Sequence, residues 1–140
     1  GNNTWGALGR PSDFSGRPRQ VVDAAGNPIT GIVAIAAGGT GTGNHSFFVL
    51  ASGGVLATGS NIDGRLGDGT TSSRANPVPV MDAGGGAFGG VVALSTHSLH
   101  TLAQKSDGTL WSWGSNNARQ LGDGTETDRT RPVQVQGLTP

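Results

Sequence analysis

The sequence predicts an all-β protein: about two and a half four-stranded blades of an incomplete β-propeller. Three observations predict it. The word LGDGT stands at Leu66–Thr70 and again at Leu121–Thr125, 55 residues apart, so the chain repeats itself. Its apolar residues fall in short runs of strand length, closed by glycine-containing turns. No window carries the 3.6-residue periodicity of an amphipathic helix.

Three units align on Gly1, Gly59 and Gly114 through the pattern G-x-N-x-x-x-x-L-G. They divide the chain into repeat 1 (1–58), repeat 2 (59–113) and a partial repeat 3 (114–140), together one incomplete propeller domain. Each unit should supply four strands. The first is a buried run, Ile32–Ile35 and Val91–Leu94. The second starts at His45 and His100, and the third is VLATG or LWSWG. Ser52-Gly53 and Asp107-Gly108 lie between second and third strands as two-residue hairpin signals. The fourth is an outer strand opened by Pro18, Pro77 or Pro132. Four strands per unit of this length suggest a propeller blade.

Glycine makes up 26 of the 140 residues, far above the usual ~7%, and reads as punctuation between strands. The formal net charge is zero and Lys105 is the only lysine, which argues against a nucleic-acid-binding stripe or a polybasic membrane patch. No run of 18 apolar residues suggests a membrane-spanning helix. The lack of cysteine excludes disulfides, thiolate metal sites and a cysteine nucleophile. Gly1 is not a Met start, so a processed or excised chain is expected.

The stretch from Leu110 to Thr125, LWSWG-S-N-N-A-R-Q-LG-DGT, and the R-T-R-P-V-Q-V that follows at Arg129–Val135 resemble the regulator of chromosome condensation repeat family. The likeness covers essentially the whole chain. The first unit departs from it, with Gly9-Arg10-Pro11-Ser12-Asp13 in place of GDGT and about four extra residues around Gly39–Asn44. The resemblance implies a β-propeller, usually of seven blades, that binds partners through its loops. Members range from a chromatin-bound nucleotide exchange factor to a plant photoreceptor and secreted bacterial β-lactamase inhibitors, so the fold does not fix the task.

Chemical candidates are few. LGDGT lacks the lysine and the helix of a phosphate loop. Asp123, Glu126 and Asp128 form a weak calcium candidate, set against a plain turn in which Asp accepts backbone N–H groups. His97 and His100 are three apart, so on a single strand they would point to opposite faces and share a metal poorly. His100 shares a repeat column with His45, which suggests structural histidines. Trp111 and Trp113 alternate on one strand and so share a face, suited to packing between blades. The partner-binding candidates are Trp5 in its loop and Thr40, Thr42 and Asn44 of the insertion, although an uncharged glycine-rich insertion reads equally as a flexible linker. Asn2-Asn3-Thr4 and Asn44-His45-Ser46 match the glycosylation acceptor pattern.

No residue set nominates a nucleophile or a base. The expectation is a non-enzymatic, cofactor-free interaction or structural module, extracellular and bacterial. It would be part of a longer protein, or one that self-assembles into a ring or filament, each copy completing the blade of the next. The alternatives are an inhibitor of a secreted enzyme and a carbohydrate-binding module.

Overall fold

The computed structural model describes residues 3–11, 17–41 and 43–137. Eight strands form two four-stranded antiparallel sheets. The first contains β1 (Ile32–Gly38), β2 (His45–Leu50), β3 (Val55–Gly59) and β4 (Arg74–Pro79), adjacent in that order. The second contains β5 (Val91–His97), β6 (His100–Lys105), β7 (Leu110–Gly114) and β8 (Arg129–Gln134), likewise in order. The hairpin signals hold: the Asp107 carboxylate accepts from the backbone N–H of Thr109 at 2.9 Å and from its hydroxyl at 2.6 Å, fixing the β6–β7 turn.

The sequence units and the sheets are out of phase. Repeat 2 donates β4 to the first sheet before supplying β5–β7 of the second, and β8 comes from the partial third unit. Both sheets are therefore complete within one chain, and neither waits for a strand from another copy. The expected opening prolines lie inside their strands instead, since β4 begins at Arg74 and β8 at Arg129. These are sheet-edge strands, where a missing N–H costs no ladder bond. Pro18 opens no strand: Val22 makes only an isolated bridge to Pro28. An outer strand needs a third strand beside it, as β4 has β3, and the described residues hold none for this segment.

The core lies between the sheets. Phe47, Val49, Val55 and Ala57 of the first sheet meet Val91, Ala103 and Trp113 of the second, with Leu66 of the β3–β4 loop and Val80 and Phe88 of the segment between the sheets filling the seam. Trp113 is fully buried, edge-on to Phe47 at 5.8 Å and to Phe88 at 5.9 Å. Its indole N–H donates to the Arg65 carbonyl at 2.9 Å. Trp111 packs at the margin of this core, and the Lys105 ammonium sits over both its ring and that of Phe88.

The first strands are less buried than expected. Ile35 is 76% exposed, whereas Leu94, at the same place in its own sheet, packs against the core. Val33 and Val92 are also exposed. An apolar strand is covered only where another sheet lies against it. β5 has β1 beside it, and the described residues place no sheet on the Ile35 side of β1.

Candidate interaction face

At one end of both sheets, the same side-chain clasp holds two loops. Asn61 accepts from the Leu66 backbone N–H at 2.8 Å, and its amide donates to Asp68 Oδ1 at 2.9 Å and to the Thr70 carbonyl at 3.0 Å. Asp68 in turn accepts from the Thr70 backbone and hydroxyl and from Arg74 Nε at 2.7 Å. The second loop repeats this with Asn116, Leu121, Asp123, Thr125 and Arg129, Arg129 Nε lying 2.7 Å from Asp123. LGDGT is thus the acceptor half of a clasp whose donor is an arginine six residues on. Burial raises the Asp123 carboxyl, but the hydrogen bonds from Thr125, Arg129 and Asn116 outweigh it and hold the pKa at about 2. Among the described residues, the first unit shows the asparagine part alone: Asn3 accepts from the Leu8 N–H and donates to the Arg10 carbonyl.

The calcium candidates do not converge. Asp123 belongs to the clasp, Glu126 pairs with Arg119 at 2.7 Å, and Asp128 accepts from the Asn116 N–H at 2.6 Å. Among the described residues no group of three His, Cys, Asp or Glu is placed to hold a metal ion.

Loop tips differ where the clasps agree. Trp5 is 52% exposed at φ 66°, Ile62 is 53% exposed, and Asp63 sits at φ 65°. Thr40 is exposed, and Thr42 lies outside the described residues. Asn44 lines a depression of about 320 Å³ with Ala7, Leu8, Gly38 and His45; Trp5 does not border it. The end of the insertion is held at Gly43 and Asn44. The buried Arg65 guanidinium donates to the Gly43 carbonyl at 3.1 Å, and the Ser60 N–H donates to the Asn44 carbonyl. Sequence reasoning missed Arg65, because its partner is 22 residues away on another loop.

His45 is fully buried at the joint between the sheets. Its Nε2 lies 2.7 Å from the Thr96 hydroxyl, and its Nδ1 3.4 Å from the Gly43 carbonyl. The Thr96 hydroxyl also donates to the His100 carbonyl at 3.3 Å, which links His45 to the start of β6. Burial drives its pKa down to about 4, with Arg65 adding to the fall, so the ring is neutral at neutral pH. His97 and His100 do not occupy one strand. They stand directly opposite each other across the two-residue β5–β6 turn, which puts both side chains on one face and corrects the expectation that they diverge.

Two positions distinguish the faces of the second sheet. At Gly38 an added Cβ would lie 3.0 Å from Thr96 Oγ1, and at Gly64 (φ 73°) it would lie 2.6 Å from Thr130 Cα, so the glycines allow the second sheet to approach the first. The matching positions on the far side of the second sheet hold His97, opposite His100 as Gly38 is opposite His45, and Arg119 at φ 60°.

A family model described as "Regulator of chromosome condensation (RCC1) repeat" matches residues 52–104 and 107–140. The human E3 ubiquitin-protein ligase HERC2 is 32% identical over 139 residues, 99% of this chain and 3% of that protein. The zebrafish (Danio rerio) protein RCC2 homolog is 33% identical over 93 residues, 66% of this chain and 18% of the relative. Human WBSCR16 superimposes with a TM-score of 0.74 at 28% identity over 96% of this chain and 33% of its own. Saccharomyces cerevisiae Prp20p, studied for its binding to Gsp1p and histones, matches with a TM-score of 0.66 at 19% identity over 97% of this chain and 33% of its own, a likeness of fold.

Proposed function

The chain belongs to the regulator of chromosome condensation repeat family, and from that premise we propose that it is a non-catalytic protein-interaction module, two blades of a longer propeller that present one rim of loops to a protein partner. The observation that carries this reading is the contrast within the rim. A clasp of a buried asparagine, an aspartate and a half-buried arginine fixes each of two loops, while the tip residues change from Trp5 through Ile62 and Asp63 to Asn117 and Ala118. Fixed frames beneath varied tips, of which Trp5 and Ile62 are exposed and apolar, are how a repeat fold offers a binding surface at low entropic cost. Trp5 is the anchor expected to contribute most, since buried aromatic residues dominate interface energetics.

Membership in a longer propeller is supported by the Pro18–Val22 segment, which repeats β4 and β8 without a sheet to join, and by the exposed face of Ile35. The chain also spans only 33% of each superimposed structure. Site-specific photocrosslinking in the native full-length protein tests the reading. Probes at positions 5 and 62 should trap one protein species, and Trp5→Ser should abolish capture from position 62 while leaving the melting temperature unchanged. Equal capture from the opposite hairpin tips at Ser52 and Asp107, or none from either end, overturns it.

A further inference from the structure

We infer that the β5–β6 hairpin binds one divalent transition-metal ion through a cross-strand pair of imidazoles, His97 and His100. Residues directly opposite in an antiparallel ladder carry their side chains on one face, with Cβ atoms about 4.5–5.5 Å apart. Two imidazoles so placed can each bring one nitrogen to about 2 Å from a single ion, with water in the remaining positions. Neutral imidazole is a ligand for borderline ions such as zinc, nickel and copper.

The pair is particular to this hairpin. The first sheet sets Gly38 opposite its histidine, and there His45 is spent on Thr96 and Gly43. Neither ring of the His97–His100 pair has a hydrogen-bond partner among the described residues. His97 is exposed and His100 half-buried, so an ion can reach both. The turn that joins them has only two residues, with Ser98 at φ 48°, so the two backbone positions are held at short range before any ion arrives.

The chain contains three histidines, which makes the test specific. Titrating the intact protein with Zn²⁺ and Ni²⁺ at pH 7.5, by calorimetry and by NMR of the imidazole protons, should give one ion per chain. The His97 and His100 ring signals should shift and that of His45 should not. His97→Gly restores the residue that the first sheet carries at this place, and it should weaken binding at least tenfold while the thermal unfolding temperature of the ion-free protein is retained. His100→Asn should weaken binding to the same degree. Absence of binding, binding that survives His97→Gly, or a shift confined to His45 would each overturn the assignment.

Discussion

Asp68, Asp123 and His45 each spend part of their solvation on a fixed place in the fold, and pH reads the result. His45 takes up its proton near pH 6.5 when unfolded but only near pH 4 when folded. Between those values the unfolded chain binds more protons, so stability present above pH 6.5 falls as pH drops towards 4, by roughly 3 kcal/mol. Asp123, lowered from 3.8 to about 2, keeps its contribution above pH 4 and loses it as pH falls to 2. Urea unfolding across this range should show two successive declines, and His45→Gln should remove most of the first. A second contrast isolates close approach from backbone strain. Gly64→Ala should cost about 3 kcal/mol, because φ is 73° and its Cβ meets Thr130. Gly124→Ala, at φ 77° with open space around it, should cost only about 1 kcal/mol. The sequence made LGDGT legible as a turn, since Asp and Gly carry their turn chemistry locally. It did not show that Arg74 and Arg129 close the clasp, although the recurring six-residue spacing was visible. A side chain's reach across a loop depends on the path of that loop.

Among the elements, the hairpins were the most legible, because glycine and aspartate at a two-residue turn act over a few bonds. The burial of the first strands was misread, because an apolar run reports an appetite for cover and says nothing of which side receives it. Leu94→Ser should cost about 2 kcal/mol, as it removes apolar packing at the joint between the sheets. Ile35→Ser, the same exchange at the equivalent place, should stay within about 0.5 kcal/mol in this chain, and chemical denaturation of both variants checks the difference. The outer strands were legible in sequence but wrongly bounded, since proline marks an edge strand without marking its start. Pro18–Val22 shows the remaining gap: a strand-like sequence becomes a strand only when a neighbour offers its ladder.

For the molecule as a whole, repeat 2 contributes strands to both sheets, so the sheets should unfold together. Cutting the chain after Gly114 removes β8 and the Asn116 clasp and bares the edge of β7. The shortened chain should lose its cooperative thermal transition and associate, as followed by circular dichroism and light scattering. The propeller class was readable from the repeat alone, because many columns in register leave few architectures. The interaction face was readable only in part. Trp5 was visible as a loop aromatic, but the His97–His100 pairing depends on where one strand ends and the next begins.

The offset between repeat and sheet also bears on how such a chain can grow. A second copy of residues 59–113 inserted after Trp113 would hand its first half to the sheet already present and build a new one with its second half. Residues 114–140 would then close the new sheet as they now close the old. Each duplication would lengthen the array by one whole sheet and leave no orphan strand at either join. It would also place a glycine where Arg119 stands now, restoring the close approach that the added sheet requires.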